Sequence, residues 1–333
     1  MKQDNDVERQ PIARRTVLTG AAAGLVAAGT SLFGQETAPT RVKGPRVWLD
    51  MDQKELDDAY DQSVYAPNLR QVIGRWITNS NAVRARLGAP ERRAYGPTNI
   101  EALDIYRTER TNAPIHIYIH GGGWRSSVAS MYAFPAELFV HAGAHWVVPD
   151  FNSVDDLESS LIPLAEQVRR AVAWIYRNAE SFGGDPNRIY VSGHSAGGHL
   201  AGVILTTDWQ RLYDLPPDIV KGGLCCSGMF DLEPVRLSAR RHYIKFTDEM
   251  VETLSPQRNL DKLNAPVIVA YGSLETPEFQ RQARDFAAAV KAAGKDAELL
   301  VAEGYNHFEV IETLGNPYDV LGRAVLEQMD LTP

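Results

Sequence analysis

The chain has 333 residues, 44% of them apolar and 23% charged, which is the balance of an ordinary globular protein of one large or two modest domains. A net charge of −8 argues against a nucleic-acid partner, which needs a basic face to replace phosphate counterions. The only two cysteines, Cys225 and Cys226, are adjacent and would point to opposite faces of a strand, so they offer neither a disulfide framework nor a metal-ligand spacing.

Residues 1–35 differ in kind from the rest. Arg14-Arg15 precedes an uncharged run, Thr16 to Gln35, rich in Ala, Gly, Val and Leu. Paired arginines before a weakly apolar core predict a twin-arginine export signal, and with it a periplasmic or secreted location; a cytoplasmic location is the alternative. The Ala/Gly content makes the run a poor permanent membrane span, so no stable span is expected in the mature protein. Residues 36–46 read as a linker, and residues 47–333 as one catalytic domain whose first part, 47–90, forms a helical arm or lid. Within that arm, Asp52–Asp61 predicts a short acidic helix. Asn68–Leu87 predicts a second, with Leu69, Val72, Ile73, Trp76 and Ile77 on one face.

Strands then alternate with helices. The apolar runs Ala102–Arg107, Pro114–Ile119 and His145–Pro149 predict strands, and Leu161, Leu164, Val168, Val172 and Ile175 set a helical period over Leu161–Asn178. Gly183-Gly184 stops that helix before another strand at Arg188–Ser192. Further strands are expected at Ile219–Cys225, Pro266–Tyr271 and Ala297–Ala302. This alternation predicts a mostly parallel sheet with helices on both faces.

Three motifs carry chemistry. Gly193-His194-Ser195-Ala196-Gly197 is G-x-S-x-G between a strand and an apolar helix, the context that lifts a nucleophilic serine above a sheet and points a helix N-terminus at it. His120-Gly121-Gly122-Gly123-Trp124 follows another strand. Residues without side chains let backbone N–H groups close on a substrate oxygen, so Gly122 and Gly123 are candidates for an oxyanion hole shared with Ala196. His307 follows the last strand, where a general base is expected in the order serine, acid, histidine. Neither G-x-x-x-x-G-K-[ST] nor G-x-G-x-x-G is present, and no metal or cofactor is called for.

Taken together, HGGGW at His120–Trp124, GHSAGGHLAG at Gly193–Gly202, TPEFQRQ at Thr276–Gln282, NHFEV at Asn306–Val310 and ELDDAYDQSVYAPN at Glu55–Asn68 resemble the arylformamidase (kynurenine formamidase) group of α/β-hydrolases, close to the hormone-sensitive-lipase-like esterases. The resemblance spans roughly Val47 to the C-terminus. It implies an α/β-hydrolase fold in which Ser195 is the nucleophile, His307 the base, and Gly122, Gly123 and Ala196 the oxyanion donors. In that group the acid stands just before the [Ser/Thr]-Pro-Glu-Phe helix start, usually as aspartate. Here the position holds Glu275 in the stretch YGSLETPEF. Either carboxylate can orient an imidazole. Asp231, after the strand holding the cysteines, is the rival.

The expected activity is therefore cleavage of a small-molecule ester or amide through an acyl-enzyme, with Trp124 and Phe230 as candidate substrate contacts. N-formylkynurenine hydrolysis is the specific activity that the resemblance implies. An exported relative would more plausibly scavenge esters or amides, and should turn over short-chain esters faster than the formamide. A non-catalytic binding module on the same scaffold usually loses the serine, the base or the glycines, and all are present here. The sequence leaves the oligomeric state open, a homodimer among the options.

Overall fold

The described residues form ten strands: β1 (Arg46–Trp48), β2 (Met51–Asp52), β3 (Glu91–Ala94), β4 (Ala102–Tyr106), β5 (Ala113–Ile119), β6 (His145–Pro149), β7 (Gly184–His194), β8 (Val220–Cys226), β9 (Val267–Gly272) and β10 (Ala297–Ala302). β1 and β2 make a small antiparallel hairpin. The other eight form one sheet in the order β10-β9-β8-β7-β5-β6-β4-β3, parallel except where β4 pairs with β6 and β3 with β4. The computed structural model describes residues 41–333. The export-signal reading at 1–35 and the first half of the 36–46 linker lie outside the described residues, and Arg46 already belongs to β1.

The helix expected at Leu161–Asn178 has those bounds, and its five period-setting residues are all fully buried. The acidic helix is Gln53–Ala59, closed by a reciprocal capping box between Asp52 and Glu55. The next helix is Leu69–Leu87, but its buried face runs through Val72, Trp76, Ser80 and Val83, while Ile77 is exposed. β3 escaped the sequence reading because Glu-Arg-Arg-Ala is a charged edge strand, buried on neither face.

Two apolar cores lie one on each side of the sheet. Ile115, Ile117, Ile119, Val191, Cys225 and Val269 face the first, and Tyr118, Trp146, Val148, Leu224, Cys226 and Ala270 face the second. The two cysteines are thus free, buried and divided between the cores, as strand alternation requires. Among the described residues no helix is long and apolar enough to cross a membrane.

The buried imidazoles have a consequence for stability. His116 packs in a three-ring cluster with Phe139 and Trp146, its ring centre 4.6 and 5.2 Å from theirs, with Nε2 2.6 Å from Ser192 Oγ. Burial holds it neutral, pushing its pKa down to about 3. Burial likewise pushes His199 down to about 4, and burial together with the neighbouring His307 holds His194 well below the usual histidine range. From pH 6.5 down to about 4, the unfolded chain takes up protons that the folded chain refuses. Stability is therefore full above pH 6.5 and falls with acidification, by about 1.4 kcal/mol per pH unit for each such histidine. Urea midpoints measured at pH 7, 6 and 5 should drop steadily, and His116→Gln should flatten the slope by about one proton. A midpoint that does not move over this range would contradict the account.

Candidate active site

The register of the parallel strands brings their carboxyl ends level. Ile119 lies beside Gly193, Gly193 beside Cys225, Cys226 beside Ala270, and Gly272 beside Ala302. The loops that follow β5, β7, β8, β9 and β10 therefore open at one edge of the sheet, where ligands bind in open α/β sheets.

Ser195 stands between β7 and the helix Ala196–Leu205, with φ +58° and ψ −123°. A non-glycine residue at positive φ is strained, and the surroundings hold it there: its N–H donates to the Cys226 carbonyl and its carbonyl accepts from the His199 N–H, each at 3.0 Å. The turn is so tight that a Cβ on Gly193 would lie 2.0 Å from the Gly197 carbonyl oxygen, and one on Gly197 2.0 Å from that of Ile119. The two glycines of the motif are thus required by space. The first N–H groups of the helix have no intrahelical acceptor, which leaves that of Ala196 able to meet a substrate oxygen. On the facing loop Gly122 has φ +100°, and a Cβ there would meet the Ser126 carbonyl at 2.1 Å, so this backbone also admits only glycine.

His307 Nε2 is 2.9 Å from Ser195 Oγ, and its Nδ1 is 2.9 Å from Glu275 Oε2. The three residues come from the ends of β7, β9 and β10 and are all buried. Glu275 is itself held: Oε1 accepts from Ser227 Oγ at 2.5 Å and from the Gly272 N–H at 2.7 Å. Ser227, at φ +52° after β8, carries no motif, and nothing in the sequence marked it. Asp231 is engaged elsewhere. It caps the helix Leu232–Leu237 through the Glu233 N–H and takes an ion pair from Arg258 at 3.3 Å. The structure therefore brings Glu275, and not Asp231, to the imidazole.

The imidazole loop is fastened in turn. Asn306 Oδ1 accepts from the N–H groups of Phe308 and Glu309, and its Nδ2 donates to Asn68 Oδ1 at 2.9 Å. Asn68 also donates to Glu309 Oε1 at 2.6 Å, so the N-terminal arm clamps the segment that carries His307. His194 sits against the same loop, its Nε2 donating to the His307 carbonyl at 2.6 Å; burial keeps this ring neutral. His120 stacks on Phe151 at 4.2 Å. Both histidines brace loops and stand outside the hydrogen-bonded Ser–His–carboxylate chain.

A cavity of about 520 Å³ opens over Ser195. Its walls include Gly122, Gly123, Trp76, Tyr132, Phe308 and Arg240. The arm contributes Tyr60, Gln62, Leu69 and Ile73, which places the first helices at the mouth. Trp124 and Phe230 do not line this cavity, which corrects the sequence reading. The positive φ of Trp124 turns its ring inward, where Nε1 donates to His199 Nδ1 at 3.2 Å. Phe230 is fully buried and stacks on Phe286 at 4.3 Å. The signal for Trp76 was its place on the apolar face of its helix, which does not distinguish a cavity wall from core.

A hydrogen-bonded Ser–His–carboxylate chain at the carboxyl edge of such a sheet defines a serine hydrolase of the α/β-hydrolase fold. Residues 103–215 match the BD-FAE family and residues 167–319 the prolyl oligopeptidase family. Kynurenine formamidase of Danio rerio is 29% identical over 299 residues, covering 85% of this chain and 98% of that protein. Kynurenine formamidase of Salmo salar is 30% identical over 285 residues, covering 80% and 93%. The solved structure of a protein from Silicibacter sp. TM1040, provisionally assigned as a thioesterase, superposes with a TM-score of 0.71 at 26% identity, over 80% of this chain and 97% of that one. The chain belongs to the kynurenine formamidase-like family of α/β-hydrolases, related to the hormone-sensitive-lipase-like esterases. It is a hydrolase of carboxylic esters or amides.

Proposed function

We propose that Ser195, His307 and Glu275 form the catalytic triad of an exported carboxylesterase or amidase, with Gly122, Gly123 and Ala196 donating to the oxyanion. The observation that supports it best is the continuous chain of 2.9 Å contacts from Ser195 Oγ through His307 to Glu275, open to a cavity large enough for a small aryl ester or amide. His307 Nε2 takes the Ser195 proton as Oγ bonds to the substrate carbonyl carbon, and the carbonyl π electrons move to oxygen. Collapse of the tetrahedral intermediate expels the leaving group, which takes the proton from Nε2. Water then attacks the acyl-enzyme by the same route and releases the acid and free Ser195. Glu275 keeps the imidazole in the tautomer with hydrogen on Nδ1 and stabilises the imidazolium. Losing one oxyanion donor from such a site costs roughly 100–1,000-fold in rate.

Phenoxides and alkoxides leave more readily than amines and demand less of His307 as acid, which favours esters. The paired Arg14-Arg15 before an uncharged run supports export, where esters or amides from outside the cell are the available substrates. A second reading, a true arylformamidase acting on N-formylkynurenine, is favoured by the nearly full-length likeness to two kynurenine formamidases. The test compares kcat/KM for p-nitrophenyl acetate, p-nitrophenyl butyrate, an anilide and N-formylkynurenine, and assays intact against broken cells. Esters are expected to lead, with activity reachable in intact cells. A ~100-fold preference for the formamide, about 2.7 kcal/mol of transition-state binding, would decide for the second reading.

A further inference from the structure

We propose that Arg240 selects anionic substrates: its guanidinium receives a carboxylate carried by the ester or amide whose carbonyl is attacked at Ser195. The inference rests on the reading of Ser195 as nucleophile. Arg240 lies in the single turn Ala239–His242, capped by Ser238, and its side chain reaches the cavity over Ser195. It ends beside the glycine loop, where a Cβ built on Gly123 would stand 3.5 Å from Nη1. Three contacts fix it there. Nη1 donates to Tyr243 Oη at 2.6 Å, Nη2 donates to the Tyr60 carbonyl at 3.3 Å, and the guanidinium carbon is 5.4 Å from the centre of the Trp124 ring.

This arginine lines the cavity over Ser195 without a counter-ion. Arg125, Arg236, Arg258 and Arg281, on neighbouring surfaces, each pair with an aspartate or glutamate. Among the described residues no carboxylate pairs with Arg240, and its buried Nε–H meets no acceptor. The acidic residue at the cavity, Asp61, accepts at Oδ1 from the amide and the hydroxyl of Ser63. A half-buried, unpaired cation costs desolvation energy that a bound anion would return. The planar fork of a guanidinium matches a carboxylate, and aromatic walls at Trp76, Tyr132 and Phe308 suit the apolar body between the anion and the scissile bond. The cavity thus presents a nucleophile at one place and a fixed cation at another.

Two matched pairs of esters test this, with the carboxylate on either side of the bond that breaks. Mono-4-nitrophenyl glutarate is compared with 4-nitrophenyl valerate, and 4-carboxyphenyl acetate with 4-carbamoylphenyl acetate, each corrected for its alkaline hydrolysis rate. The wild-type enzyme should favour the charged member of one pair by ~10–100-fold in kcat/KM, mainly through KM, and the pair that responds tells whether Arg240 serves the acyl or the leaving-group side. Arg240→Met should abolish the preference, Arg240→Lys should retain part of it, and added salt should weaken it in the wild type. Hydrolysis of both members of both pairs at equal kcat/KM by the wild-type enzyme overturns the inference and leaves the role of Ser195 standing. So does a preference that survives undiminished in folded Arg240→Met. Should no ester be hydrolysed and no phosphonate label Ser195, the reading beneath it falls as well.

Discussion

Ser195→Ala is expected to remove hydrolysis of p-nitrophenyl acetate almost entirely, a loss of ~10⁴–10⁶-fold in kcat, while leaving the fold intact. The substitution deletes the atom that bonds to the acyl carbon; among the described residues no other hydroxyl or thiol is hydrogen-bonded to the His307 ring. Ser127 lines the cavity wall, and its hydroxyl accepts from Tyr132 Oη at 3.3 Å. Both cysteines are buried within β8, and their thiols are shifted far upward by burial, so neither supplies thiolate. Alanine keeps the Cβ and the backbone contacts of the elbow, so the melting temperature should move by no more than ~0.5 kcal/mol implies. Matching circular dichroism together with a tenth of the activity retained would mean that another nucleophile operates.

Glu275→Gln should lower kcat by ~10³–10⁴-fold, whereas Asp231→Asn should change it by less than ~3-fold. The Ser227 hydroxyl and the Gly272 N–H both donate to Oε1, and a glutamine can satisfy both only through its carbonyl oxygen. That choice turns the amide NH₂ toward His307 Nδ1. The imidazole is then held with hydrogen on Nε2, the tautomer that cannot accept the Ser195 proton. Asp231→Asn instead removes the ion pair with Arg258, while asparagine still caps the helix Leu232–Leu237. Steady-state rates on p-nitrophenyl acetate for both variants decide the matter. The reverse ranking would move the acid to the end of β8.

The contacts of Glu275 show how a glutamate can be held for the role proposed for it. The extra methylene requires the backbone to stand back from the imidazole, and two donors distant in sequence then fix the far oxygen. The Ser227 hydroxyl comes from the loop after β8, and the Gly272 N–H from the last residue of β9. Held at both oxygens, the longer side chain keeps its carboxylate directed at the imidazole.

Much of this molecule is written locally. The elbow at Ser195 needs Gly193 and Gly197 because the backbone there leaves no space for a Cβ, and the strand before it and the helix after it are legible as an apolar run and an apolar helix. The glycine loop at His120–Trp124 and the amphipathic helix Leu161–Asn178 are readable for the same reason, since each follows from steric or periodic rules acting within a few residues, whereas His307 is readable from its place after the last strand in the order of the fold. Only the tertiary structure decided which carboxylate meets His307, since the arrangement depends on Ser227 reaching Glu275 across a separation of 48 residues. It also decided what lines the cavity. Trp76 and Arg240 came to it, and Trp124 and Phe230 turned into the core. An apolar or charged side chain looks the same in sequence whether it faces a core, a cavity or water. Its direction is set by strand register and by clamps such as Asn68 on Asn306, 238 residues apart.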